Sequence, residues 1–157
     1  MSRENVEVVR AFNAPGEGED LAPVIREALA RLGPHPQPEA VLAGWAEDPA
    51  WQHVHPDIEW DASALGALGT VAHGPREVVE WWTDGVNAWE SYVYRTLSYR
   101  DLGRWVLQPV HVQARSREGA SVEMVVFQLW LVRDGRIAVY RAFLSEREAL
   151  EAAGLSE

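Results

Sequence analysis

His53 and His55 stand two apart, with Asp57 and Asp61 close behind them. Imidazole and carboxylate at strand spacing invite a zinc or iron site, because alternate residues of a strand share a face. Pro56 interrupts the run and no third ligand is evident, so neither a metal nor another cofactor is expected. Cysteine is absent, which removes disulfides, thiol catalysis and Cys-ligated metal centres. No Gly-rich phosphate loop and no nucleophile elbow occurs. Eight tryptophans in 157 residues are the anomaly.

Charge narrows the partners. Acidic residues number 24 and basic residues 14, every one of them Arg, for a formal net charge of −10. Such a chain is repelled by phosphate backbones and anionic lipid, so neither nucleic acid nor membrane is expected as a partner. The first residues enter a charged helical pattern without an apolar signal region, and the longest apolar stretches are strand-sized. A cytoplasmic protein is the expectation. Hydrophobic residues at 47% and a length of 157 suit one domain spanning 1–157.

Helices come first. Residues 2–13 carry Val6, Val9 and Phe12 along one face, and Asp20 can cap a second helix to about residue 32, with Leu21, Ile25, Leu29 and Leu32 on its apolar face. Prolines at alternate positions in 33–38 end it, and a third helix over about 38–46 follows. Residues 57–62 alternate as a strand, and His73-Gly-Pro-Arg-Glu opens a helix running to about residue 89. Four strands follow at about 92–100, 104–115, 121–133 and 136–144, parted by Asp101-Leu-Gly103, Arg117-Glu-Gly119 and Arg133-Asp-Gly135. Ser145-Glu-Arg-Glu148 is a capping box for a final helix closed by Gly154.

Helices followed by an antiparallel meander make an α+β domain. In 122–132 both strand parities are largely apolar, so that strand should be covered on both sides. The helices can cover one face. A second copy of the chain is the simplest cover for the other, with the C-terminal helix as the alternative.

Met1-Ser-Arg-Glu-Asn-Val-Glu-Val-Val-Arg, His55-Pro-Asp-Ile-Glu-Trp60, His73-Gly-Pro-Arg-Glu-Val-Val, Arg133-Asp-Gly-Arg-Ile and Ser145-Glu-Arg-Glu-Ala-Leu-Glu-Ala-Ala-Gly-Leu together resemble the SnoaL-like branch of the nuclear transport factor 2-like superfamily. The resemblance implies a curved antiparallel sheet wrapped around N-terminal helices to form a cone with an apolar pocket. It also implies a homodimer through the back of the sheet. Residues 14–51 depart from it as a helical, Pro-rich insertion near the cone mouth, either a lid or a tolerated surface insertion. The superfamily hosts ketosteroid isomerases, epoxide hydrolases, polyketide cyclases, dehydratases and non-catalytic domains, so shape alone does not give activity.

The resemblance also tests known catalytic sets. The isomerase base falls near Ala62, its tyrosine is missing or replaced by Phe12, and its second acid falls at Gln128. The hydrolase Arg-x-Asp pattern falls on Pro109-Val-His111, and its other acid falls at Ala142 of Tyr140-Arg-Ala-Phe143. Neither set is reproduced. What remains places His111 in the pocket with Gln128 and Tyr140 as a catalytic group. His111 would move a proton, and the other two would hydrogen-bond a carbonyl or enolate oxygen. Trp60, Trp105, Val126, Trp130, Asp61 and His73 are the expected substrate-binding residues. The expected activity is cofactor-free acid–base chemistry of isomerase, dehydratase or cyclase type on a hydrophobic carbonyl compound. The alternatives are a non-catalytic module that holds a hydrophobic small molecule and a dimerisation scaffold with a filled cone.

Overall fold

The computed structural model describes residues 2–31, 37, 39–40, 43–44, 47, 49–68, 70–86 and 88–155. Helix α1 (Ser2–Asn13) runs into a 3-10 turn at Ala14–Gly16, and α2 (Leu21–Ala30) follows. A 3-10 turn at Pro49–His53 leads into β1 (Val54–Asp61); another at Ser63–Leu68 precedes β2 (Val71–His73). Helix α3 (Gly74–Val86) then returns the chain to the sheet. The remainder is β3 (Trp89–Thr96), β4 (Arg100–Asp101), β5 (Trp105–Ser116), β6 (Ser121–Arg133), β7 (Arg136–Phe143) and α4 (Glu146–Ala152). Of the helix expected over 38–46, residues 39, 40, 43 and 44 are helical; the others, Trp45 included, lie outside the described residues, as does Leu32. Among the described residues no helix is long and apolar enough to cross a membrane.

The sheet order is β2-β1-β7-β6-β5-β3, with β4 on β5. Its pairs are antiparallel except β1 with β7, which is parallel. The meander pattern predicts only antiparallel neighbours; a parallel pair arises because β1 returns from far away in sequence to close the edge of β7. Register shifts interrupt the β6–β7 and β3–β5 ladders near Val132 and Trp89. Such irregularities bend and twist a sheet, giving it one concave and one convex face.

Each face has its own core. On the concave side Val9 of α1 and Val78 of α3 pack against Ile58, Trp60, Val106, Val110, Trp130 and Tyr140. On the convex side Trp105, Leu107, Leu129, Leu131 and Ala138 pack against Ala149 of α4. Ser145 Oγ accepts the Glu148 N–H at 3.2 Å, so the capping box starts α4 where it can fold back. The doubly apolar β6 is thus covered on this stretch by the chain's own last helix, and does not need a second copy there.

Helix α2 is tied to β3 by polar groups. Asp20 makes no side-chain cap, contrary to expectation. Its carboxylate instead accepts the Tyr92 N–H at 2.9 Å and the Ser91 hydroxyl at 2.8 Å. Arg26 donates to the carbonyls of Trp89 at 2.5 Å and Glu90 at 2.9 Å. These bonds fix α2 across the open end of the concave face. Hydrogen bonds to a charged acceptor are each worth about 1.5–3 kcal/mol. Asp20→Ala should therefore cost about 2 kcal/mol in urea unfolding and raise amide exchange in 14–31 more than in β5 and β6. Unchanged exchange there would mean that α2 is held by apolar contacts alone.

Candidate functional site

Strand parity decides what reaches the concave face. On β5 the inward residues are Val106, Gln108, Val110, Val112 and Ala114, all buried. Register pairs Gln108 with Gln128 and Val106 with Trp130, and on the other side of β6 it pairs Gln128 with Ala142 and Trp130 with Tyr140. Trp60 of β1 lies beside Tyr140 in the parallel pair, and their rings stack at 3.8 Å and 20°. Ala142, small and opposite Gln128, leaves room for the Tyr140 hydroxyl to reach that amide.

The polar groups on this face form one chain. Tyr140 donates to Gln128 Oε1 at 2.7 Å. Gln128 Nε2 donates to Gln108 Oε1 at 2.8 Å, and Trp130 Nε1 donates to the same oxygen at 2.8 Å. Gln108 Nε2 donates to Thr96 Oγ1 at 2.8 Å, and that hydroxyl donates to Glu17 Oε2 at 2.7 Å. The Thr96 N–H also donates to Glu17 Oε1. Gln108 has no exposed surface, so these partners replace water for it.

Beyond Gln128 the face opens into a cavity of about 450 Å³. Its walls are aromatic. Trp60 meets Trp81 at 5.9 Å, Trp82 at 6.0 Å and Trp130 at 5.9 Å between ring centres, and Phe12 of α1 meets Trp130 edge-on at 5.7 Å. Each such ring pair contributes about 0.5–1.5 kcal/mol beyond area burial, so the wall is stiff. Leu21, Val24, Ile25 and Ala28 of α2 close the side opposite the sheet. Helix α2 is therefore part of the cavity wall. Among the described residues lining the cavity none is acidic, basic or a histidine. The Trp60 indole N–H is buried without a partner among the described residues.

Gln128, Tyr140, Trp60, Val126 and Trp130 line the cavity. His111 does not. It stands on the convex side of β5, where Nε2 pairs with Glu123 Oε1 at 2.8 Å. Trp105 is likewise turned to the convex face, under α4 and beneath the Arg141 guanidinium at 5.6 Å. Both corrections have one cause. Side chains alternate along a strand, so moving an aligned position by one residue exchanges the faces. The expected convergence of His111 with Gln128 and Tyr140 is not formed. Asp61 is used locally, accepting the Ser63 N–H at 3.0 Å and hydroxyl at 2.5 Å. His73 is exposed, and its backbone N–H donates to Glu77 at 2.9 Å at the start of α3. Neither lines the cavity. His55 accepts the Asp57 N–H at 3.0 Å, and among the described residues no three His, Asp or Glu side chains come together as a metal cluster.

Sequence reasoning missed Trp51, Trp81, Trp82, Tyr92 and Tyr94 as cavity residues. Trp81 and Trp82 are neighbours on α3, and both reach Trp60. The signal for α2 was present: Leu21 and Ile25 share the helix face that meets the cavity.

Burial pushes Tyr92 up to about 12 and raises Tyr94 further, where the Glu17 charge adds to the effect. Burial holds Tyr140 well above its ordinary value of 10.0 and also raises Tyr99. Tyr140 is accordingly a neutral phenol whose proton is committed to Gln128.

Residues 25–140 match the SnoaL-like domain, and the chain belongs to that family. No curated protein matches the sequence. An NTF2-like protein from Burkholderia xenovorans LB400 is similar over 100% of this chain and 98% of its own, at 14% identity and a TM-score of 0.61. An NTF2-like protein of unknown function from Burkholderia pseudomallei K96243 is similar over 94% and 95%, at 15% identity and 0.60. TerC, co-crystallised with polyporic acid, is similar over 72% and 92%, at 18% identity and 0.56. At these identities the likeness is one of fold.

Above the ordinary phenol value of 10.0, an unfolded chain loses tyrosine protons that the folded chain keeps. Stability should therefore fall as pH rises from there, because the unfolded state binds fewer protons. An absorbance titration should show little tyrosinate until the fold is lost. Four phenols titrating together near 10.0 in the folded protein would contradict the buried positions.

Proposed function

We propose that the protein binds a flat, hydrophobic, uncharged small molecule in the concave cavity. The observation that carries this is a cavity of about 450 Å³ walled by tryptophans, with no charged side chain among its described lining residues. Burying an unpaired charge there would be costly, whereas a planar apolar body gains ring contacts on several sides. The volume falls within the usual range for small-molecule sites. TerC, which shares the fold, was crystallised with polyporic acid, which is consistent with small-molecule binding in this architecture. Helix α2 acts in this reading as the outer wall of the mouth.

A second reading makes the same cavity an active site for cofactor-free proton transfer on a hydrophobic carbonyl compound, in the manner of isomerases, dehydratases or polyketide cyclases. The polar Gln128–Tyr140 pair in an otherwise apolar wall favours it. It requires a base within hydrogen-bond reach. The described wall supplies none, and Tyr140 holds its proton too tightly to act as one. Binding is therefore the primary reading.

The test uses the neutral fluorophore N-phenyl-1-naphthylamine. Its emission should rise on titration into the protein, and Ala28→Trp, which fills the α2 side of the cavity, should weaken binding about tenfold or more with an unchanged melting temperature. Equal binding to the two proteins would place the probe elsewhere. Incubation of a bound ketone followed by mass analysis separates the two readings: a ligand recovered unchanged supports binding, and a converted one supports catalysis.

The homodimer through the back of the sheet belongs to the same proposal, on the part of the convex face that α4 leaves open around Val125. Sedimentation should give a dimer, and Val125→Glu, which adds a charge beside Glu123, should give a monomer. A wild-type monomer would remove the dimer.

A further inference from the structure

A glutamine amide can be turned either way within the same outline, exchanging its donor and acceptor ends. Here the chain of hydrogen bonds fixes the choice from two anchors. The Glu17 carboxylate only accepts, so Thr96 must give it its hydroxyl proton, and Thr96 Oγ1 is left to accept from Gln108 Nε2. The Trp130 indole only donates, so it too requires Gln108 to present Oε1. Both anchors demand one orientation of Gln108. Gln108 Oε1 then requires Nε2 from Gln128, and the Oε1 of Gln128 requires the proton of Tyr140. Gln128 is thereby left with one N–H that has no partner among the described residues, on a side chain that lines the cavity. Tyr140 has no second proton to offer.

We infer that the cavity selects ligands that carry a neutral acceptor oxygen, a ketone, quinone or amide carbonyl, taken up by the second Nε2–H of Gln128. Gln108 is the positioning residue that holds Gln128 with its donor toward the ligand. This rests on the binding reading above and deepens it. A single neutral donor suits a carbonyl. It does not suit a carboxylate or phosphate, which would bring charge into an apolar wall with one hydrogen bond to satisfy it. Glu17, outside the cavity, sets the donor presented inside it through Thr96 and Gln108. Gln108 itself does not line the cavity, so its effect on a ligand must pass through Gln128.

Two probes of the same outline test this: 2-acetonaphthone, with a carbonyl oxygen, and 2-isopropenylnaphthalene, with a methylene in its place. Affinities are measured by ligand-detected NMR titration for the wild type and for Gln128→Leu, Gln108→Leu and Thr96→Val. The readout is the ketone-to-alkene affinity ratio within each protein, which cancels general effects on cavity shape. Gln128→Leu should lower that ratio about tenfold while alkene affinity stays within about twofold. Gln108→Leu should lower it similarly without touching the ligand. Thr96→Val, a milder change at the next link, should lower it in the same direction and serves if Gln108→Leu fails to fold. An unchanged ratio in Gln128→Leu overturns the acceptor assignment while leaving the binding reading intact. A ratio lost in Gln128→Leu but kept in both Gln108→Leu and Thr96→Val overturns the positioning role. If neither probe binds the wild type, the binding reading fails and this inference with it.

Discussion

Gln108 is a polar side chain with no exposed surface, flanked on its strand face by Val106 and Val110. An unsatisfied buried amide group costs about 1–3 kcal/mol, against a total stability of about 5–15 kcal/mol for a domain. The fold must therefore bring partners to it, and it does so from the two neighbouring strands. Thr96 comes from β3, and Gln128 and Trp130 from β6. The bonds form only in the observed registers, where Gln108 faces Gln128 and Thr96 faces Val110. A slip by one residue on either side would turn the partners to the convex face and leave the amide stranded. The apolar residues of these strands specify their faces less sharply, because β6 is apolar on both. The amide supplies the register information that the hydrophobic pattern lacks.

The cavity exists because the rings around it brace one another and not its centre. Trp60 is stacked on Tyr140 and met at an angle by Trp81, Trp82 and Trp130, so its position is fixed from several sides. Helix α2 completes the enclosure by a division of labour along its surface. Asp20 and Arg26 bind the polar groups of β3, while Leu21 and Ile25 face the space within. Glu17, just before this helix, holds Thr96. Helix α2 and the turn before it are thus attached through the same strand that begins the hydrogen-bond chain to Tyr140, and the wall and the floor of the cavity share an anchor.

Much of the fold was legible because it is local. Arg117-Glu-Gly119 and Arg133-Asp-Gly135 mark turns whose positive-φ glycines join strands in the order expected. The capping box at Ser145 placed α4. The parallel pairing of β1 with β7 was not legible, since no local pattern records which distant strand a segment will join. The site was half legible. Trp60, Val126, Gln128, Trp130 and Tyr140 follow from strand parity on β1, β6 and β7. Placing His111 beside Gln128 was inconsistent with the hairpin itself. The turn at Arg117-Glu-Gly119 makes residues of like parity oppose one another, so Gln128 facing inward turns His111 outward. On β5 the His111 parity also carries Gln113 and Arg115, which are solvent-facing types, whereas the other parity is apolar apart from Gln108 and the terminal Ser116. That contrast is in the sequence and outweighs a position implied by the family resemblance. Asp20 misled for another reason: an acid before a helix reads as a cap, and only the tertiary fold brings the Ser91 and Tyr92 donors to it.

The direction of the hydrogen bonds bears on what chemistry the cavity can support. Stabilising an enolate calls for donors aimed where charge develops, usually more than one, and a base close to the proton removed. Gln128 and Tyr140 look like two donors in the sequence. In the fold the Tyr140 proton is given to Gln128, and burial keeps that proton in place. One donor remains, on an amide that is neutral and held rigidly by Gln108. The histidine expected to serve as the base lies across the sheet, bound to Glu123. On the proposed binding reading, a floor with one fixed neutral donor, within walls of tryptophan, would discriminate among uncharged ligands by where their oxygen sits. It offers little to a transition state whose charge is growing, and this is why the geometry of the described residues favours recognition of a carbonyl over its enolisation.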